Sequence, residues 1–436
     1  MMEAAGNWLN RYRRGIFLAG VLLLTGYGFH TVQFLRARPA TLWMNIYWFP
    51  DIGGWKGFRQ YLLDLKTGIP PVLSSIEIIS DQLFQTIRWW TVDVYHFFIV
   101  LMFVLPLYFV RRKWADALLA WGLGALFITA MAVISPGNPE MYDAAFPAFF
   151  LLYFFFSELS FRENPKAWQA NTLAGLAGFF LSMTELARPF MLVMVPLLVI
   201  WNLWRLWPAG RARVLWFLLP LLLFSGGWHA KLLIFNRGQL LWSNHSGSNF
   251  SGAWYPFADW GYLDTIILPE EPPLHEPLWH NINTYTHGYN SQVRKNHVWT
   301  AMKAQPGKAL NHFIDQLLIF TGVRTDIYVH QPQGPLITVY RWCGRALFVV
   351  LGLLLLALPF RIWKNPRSLF ETETAILIFA AYISFIPIIG DTNEEARFLF
   401  PVLTLLMIVP SYGLAAVEPL IRRMRRRPGG NAFSQT

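Results

Sequence analysis

Charge is what this sequence has least of. Only 14% of its 436 residues are Asp, Glu, Lys or Arg, where a soluble domain carries about a quarter. Cysteine is nearly missing too: the chain holds one, Cys343, set in an apolar stretch. That excludes an intrachain disulfide, so any large domain outside the apolar runs must be held by packing. Cys343 itself reads as a small buried hydrophobe. There is no P-loop, no dinucleotide fingerprint and no G-x-S-x-G elbow, which argues against an ATP-driven or sugar-nucleotide-dependent enzyme. No internal repeat, low-complexity tract or inverted repeat of the secondary-transporter kind is visible. The net charge of +11 does not imply nucleic acid, because the basic residues form short clusters between apolar runs and not one basic face.

What the chain does have is hydrophobicity. Hydrophobic residues make up 55% and aromatics 17%, with 21 Trp and 36 Phe, and the mean hydropathy is +0.36. A bilayer core of about 30 Å needs roughly 20 mostly apolar residues in a helix. In lipid every backbone N–H and C=O must be paired within the segment, so each long apolar run reads as helix. The runs fall at about 15–35, 94–110, 115–135, 144–161, 171–187, 189–206, 213–235, 340–361, 372–390 and 398–419, each bound uncertain by a few residues. The first is too long for a typical signal-peptide h-region and reads as a retained helix. The expected fold class is an all-α polytopic membrane protein of about ten spans.

Orientation follows from the positive-inside rule. Arg11, Arg13 and Arg14 precede the first run; Arg111, Arg112 and Lys113, then Arg162 and Lys166, Arg211 and Arg213, and Arg361, Lys364 and Arg367 occupy alternate loops. Arg422, Arg423, Arg425, Arg426 and Arg427 follow the last run. Ten spans put every cluster on one side, with both termini cytoplasmic, as expected for a bacterial inner-membrane protein with its active site facing the periplasm. The opposite side receives two long loops, 36–93 and 236–339. Three parts result: an N-terminal transmembrane module, 1–235, containing the first loop; an external loop domain, 236–339; and a C-terminal transmembrane module, 340–436. Within the first loop, charges interspersed in Trp55-Lys56-Gly57-Phe58-Arg59-Gln60-Tyr61-Leu62-Leu63 are expected to give interfacial helices.

Ionisable groups at a membrane boundary are costly and so are functional candidates. Asp51, in Trp48-Phe49-Pro50-Asp51-Ile52-Gly53-Gly54, could take a proton as general base, although Pro-Asp-x-Gly also favours a simple turn. Glu140 and Asp143, in Asn138-Pro139-Glu140-Met141-Tyr142-Asp143, could hold an acceptor, an arginine or a metal, or merely favour a helix N-terminus. Glu185 and Arg188 stand three apart and could bind substrate or pair with one another. Arg397 follows Glu394-Glu395-Ala396; its planar fork suits a phosphate, while headgroup snorkelling or a pair with Glu394 is the ordinary alternative.

The second loop carries His245, His275, His280, His287, His297, His312 and His330, in spacings that fit no standard zinc motif. Its run from Ser243 to Trp254, with Asn244, His245 and four serines, offers polar donors beside aromatics, as a carbohydrate-binding surface does. Asn244, His245, Trp254 and Glu395 are therefore candidate substrate contacts alongside Glu185 and Arg188.

Taken together, Asp51 early in the first loop, Pro139-Glu140 at the next turn, a long loop before the last helices and Glu395-Ala396-Arg397-Phe398-Leu399-Phe400-Pro401 resemble the GT-C superfamily of membrane glycosyltransferases. Protein O-mannosyltransferases and lipid A aminoarabinose transferases belong to it. The resemblance implies a GT-C-like bundle that moves a sugar from a polyprenyl-phosphate donor to a glycan, lipid or protein acceptor. It implies Asp51 as catalytic base, Glu140 orienting acceptor or sugar, and Arg397 with Lys56 or Arg59 on the donor phosphate. No cofactor is implied with certainty, and a divalent metal stays open because related enzymes differ. The sequence departs from the mannosyltransferases in having Ile52 after Asp51, where they pair Asp with Glu, and Thr404 where a second proline is frequent. The alternatives are a polymerase or ligase of lipid-linked glycans, which clustered loop arginines would favour, and a transporter, which mid-membrane charges or broken helices would favour. Arg237, Arg294 and Arg324 are scattered, not clustered.

Overall fold

The computed structural model describes residues 13–36, 88–109, 114–134, 145–161, 166–188, 191–235, 254, 295–296, 298–320, 334–390 and 402–408. Among the described residues the secondary structure is helical throughout. In chain order the helices are α1 (Arg13–Arg36), α2 (Arg88–Phe109), α3 (Trp114–Ile134), α4 (Ala145–Ser160), α5 (Ala167–Ala187), α6 (Met191–Leu206), α7 (Arg211–Leu221), α8 (Gly227–Phe235), α9 (Pro306–Phe320), α10 (Pro335–Lys364) and α11 (Thr372–Gly390). A final turn follows at 402–406. The helix ends at Arg36, Arg88, Phe235 and Pro335 flank the long segments 37–87 and 236–333 and are called here the loop end of the bundle. Short connections such as Trp207–Gly210 and Asn365–Glu371 lie at the other, the turn end.

Close helix approach is set by small residues, as packing in lipid requires when apolar burial gives no driving force. Along α5, Ala170, Ala174, Gly178 and Ser182 recur every fourth position and are all buried. A Cβ added at Gly178 would strike the Phe217 carbonyl of α7, so the two backbones nearly touch. Gly20 of α1 does the same against the Trp121 ring of α3, and Tyr27 is hydrogen-bonded to Thr129 across that pair. Aromatics fill the centre: Phe150 of α4 stacks on Phe379 of α11, and Phe154 meets Trp201 of α6 edge-on, centroids 5.8 Å apart. The segment 402–408 is buried, with Leu403 beside Gly344 of α10 and Met407 beside Gly124 of α3.

α7 and α8 form one rod interrupted by a π-bulge over Leu222–Gly226. Pro220 removes a backbone donor just before it, and the widened turn follows. One extra residue in the turn shifts the register of everything beyond by roughly 100°, given 3.6 residues per turn. The bulge therefore decides which α8 side chain faces α5.

The outer surface is apolar. Leu23 is 74% exposed, Ile200 65% and Leu356 79%. In water such a surface would aggregate; lipid covers it at no cost. Trp168, Trp204, Trp207 and Trp363 stand exposed around the turn end, as an interfacial tryptophan belt does. Met191–Ala209, Arg211–Ile234 and Pro335–Lys364 are long and apolar enough to cross a membrane, and several shorter apolar helices accompany them.

Candidate active site at the loop end of the bundle

Buried charge occurs at both ends of the bundle, in different settings. At the loop end, Glu185 lies in the last turn of α5 with only 2% of its side chain exposed. Its partner is His229 of α8, whose Nε2 meets the carboxylate. His229 reaches Glu185 from another helix, beyond the π-bulge that sets the facing of α8. A carboxylate buried in an apolar bundle is stable only with such a partner.

Arg188 ends α5. Its backbone is extended, φ −145° and ψ 121°, as Pro189 demands of the residue before it. Its N–H bonds the Glu185 carbonyl at 3.1 Å, and its carbonyl accepts the Met191 N–H at 3.1 Å. These two bonds fix the Arg188 backbone beside Glu185. Chemically, a carboxylate–imidazole pair at a bundle end can orient a substrate hydroxyl, or relay its proton.

Trp254 is buried, 3% exposed, and belongs to a separate apolar cluster with Val298 and Ala309. Its ring lies 4.9 Å from that of His312 on α9, and Gln316 Nε2 is 3.2 Å from His312 Nε2. Trp254, a candidate substrate contact by sequence, is a packed indole beside α9. Asp51, Lys56, Arg59, Glu140, Asn244, His245, Glu395 and Arg397 lie outside the described residues. Among the described residues no group of three His, Cys, Asp or Glu side chains gathers as metal ligands would.

The turn end carries a cluster that the reading of the sequence passed over. Arg205 Nη2 of α6 donates to Glu158 of α4 at 2.7 Å, and its Nη1 to Thr372 of α11 at 3.2 Å. Thr372 also donates to Glu158. The guanidinium lies over the Phe161 ring at 4.4 Å and the Trp201 ring at 4.6 Å, and Ser157 donates to Asn202 at 3.0 Å. His229 was also passed over, although a histidine inside an apolar run is itself a candidate by the cost of burying it.

No family model matches this sequence, and no curated protein does. Among solved structures the chain is similar to the archaeal oligosaccharyltransferase AglB from Archaeoglobus fulgidus, a complex with an inhibitory peptide and a dolichol-phosphate. The likeness has a TM-score of 0.38 and 15% sequence identity, and covers 97% of this chain and 53% of that one. The chain therefore spans about half the length of that protein. A TM-score of this size carries no functional argument by itself.

Proposed function

We propose that this chain is a membrane glycosyltransferase that moves a sugar from a polyprenyl-phosphate donor to a glycan, lipid or protein acceptor at the external membrane face. The observation that carries the reading is the buried Glu185–His229 pair, with Arg188 one turn on, at the loop end of the bundle. Charge kept there against its desolvation cost has a use in binding a polar substrate at the membrane surface. The motifs around Asp51, Glu140 and Arg397 support the same reading from the sequence.

In the proposed reaction the acceptor hydroxyl attacks the anomeric carbon and the bond from that carbon to the phosphate oxygen breaks. Asp51 takes the hydroxyl proton, and the polyprenyl phosphate leaves with the bonding pair. Arg397, with Lys56 or Arg59, holds the phosphate as its charge grows, which is the largest lever such a site has. Glu140, Glu185 and Arg188 orient sugar and acceptor, with Asn244, His245 and Glu395 as further contacts. Ten spans, cytoplasmic termini and a periplasmic site in a bacterial inner membrane complete the proposal.

The test is transfer or hydrolysis of radiolabelled polyprenyl-phosphate sugars by the purified chain in detergent. Wild-type turnover that is lost in Asp51→Asn and Arg397→Ala, with unchanged gel-filtration profiles, is the expected result. Turnover that survives Asp51→Asn moves the base to Glu140. A wild type inert toward every such donor overturns the transferase reading in favour of a glycan polymerase, a ligase or a transporter.

A further inference from the structure

α9, in the segment between α8 and α10, divides its circumference into three sectors. Projected at 100° per residue, Ala309, His312, Phe313 and Gln316 share one side. Ala309 and Gln316 are buried there, His312 faces Trp254, and the Phe313 ring meets Phe385 of α11 edge-on at 5.8 Å. That side packs on the protein. Lys308, Asn311 and Asp315 share the second side and form a polar sector. Leu310 and Ile314, with Leu317 next to them, share the third, and they are 59%, 43% and 37% exposed.

A helix surrounded by water and protein needs two sectors, one apolar and packed, one polar. A third sector, apolar yet outward-facing, needs a third medium. The bilayer is the medium at hand. α9 sits on α11 toward its loop end, and α11 presents Phe385, 46% exposed, and Ile378 on its own outer surface. The apolar sector of α9 continues that surface. Lys303, just before α9, and Lys308, in its polar sector, are exposed and suit headgroup phosphates at that level.

We infer that α9 is an interfacial helix whose Leu310–Ile314–Leu317 face lies in the acyl region of the leaflet at the loop end. Its opposite face then fixes Trp254 and His312 at the membrane surface. The inference rests on the bundle lying in a membrane and is independent of which reaction the chain performs.

The test uses the full chain, reconstituted in phosphatidylcholine vesicles with or without acyl-chain-brominated phosphatidylcholine. Cys343→Ala removes the single native thiol, and bimane is attached at Leu310→Cys, Ile314→Cys, Asn311→Cys or Leu353→Cys. Leu353, 61% exposed on α10, reports the lipid-facing bundle, and Asn311 the polar sector. These are surface positions, so each variant is expected to fold, with monodispersity checked by gel filtration. The expected result is at least twofold quenching by brominated lipid at positions 310, 314 and 353, with position 311 quenched only by aqueous iodide. Iodide quenching without lipid quenching at 310 and 314 overturns the inference, as does quenching by neither, which would mean that another protein surface covers them. Loss of lipid quenching at 353 as well would overturn the membrane reading on which it stands.

Discussion

Glu158 and Glu185 are both carboxylates drawn into an apolar bundle, one at each end, and their surroundings differ. Glu158 accepts from Arg205 and from Thr372, and Arg205 also reaches Thr372. Three helices, α4, α6 and α11, close into a triangle of hydrogen bonds under two aromatic rings. Such a cluster satisfies itself and ties the C-terminal helices to the N-terminal ones. Glu185 is more deeply buried, and it has a histidine as partner. Its neighbour is an arginine at a helix end, and the ring of His229 keeps 17% of its surface accessible. The cationic partners are equally accessible, 17% for Arg205 and 17% for His229; what differs is that the turn-end cluster joins three helices and the loop-end pair joins two.

Five substitutions break or sharpen that contrast. The largest effect is expected from Glu185→Ala, which strands His229 in the bundle and costs about 3–5 kcal/mol, as removing one partner of a buried pair does; a lowered thermal midpoint in detergent reports it. Glu185→Gln keeps the volume and a hydrogen bond, so folding should survive while sugar transfer falls at least about tenfold, equivalent to about 1.4 kcal/mol of lost transition-state binding. Unchanged turnover in that variant would make the loop-end pair structural and erase the contrast. Glu158→Ala should cost about 1.5–3 kcal/mol, the scale of a hydrogen bond to a charged group, and leave the turnover of the folded fraction within about twofold of wild type. Thr372→Val removes one hydroxyl from the triangle and is expected to cost about 0.5–1.5 kcal/mol, read from the same melting curves. Leu356→Ala, on the outer surface of α10, should stay within about 0.5 kcal/mol in detergent. A large loss there would mean that a protein surface, and not lipid, covers that face.

The helices themselves were legible in the sequence. The apolar runs expected at 15–35, 115–135, 144–161 and 372–390 appear as Arg13–Arg36, Trp114–Ile134, Ala145–Ser160 and Thr372–Gly390. In lipid a long apolar stretch has no other way to satisfy its backbone. The bounds shift where a helix outruns its apolar stretch: α2 begins at Arg88 and α10 at Pro335, because interfacial Arg, Trp and Pro residues can open a helix as well as a loop. The run expected at 213–235 gave no sign of its π-bulge, since hydropathy does not depend on hydrogen-bond register.

The site was less legible. Glu185 and Arg188 could be singled out because charge is costly at a membrane boundary, and their spacing left substrate binding and a mutual pair both open. His229, which meets Glu185, lies 44 positions away, on a helix whose facing depends on the bulge. Glu158 and Arg205 stand near helix ends 47 positions apart, and only their meeting with Thr372 of α11 makes them a cluster.

By itself, then, the sequence determined the solvent of this chain, the places where it forms helix, and the boundary residues worth suspecting. Those are local consequences of dehydrating a backbone and of burying charge. The tertiary structure decided which charges meet, which glycines permit backbone contact, and which side of α9 is left outward and apolar. Each of these depends on how helices rotate and approach one another, a geometry fixed by packing between residues distant in the chain.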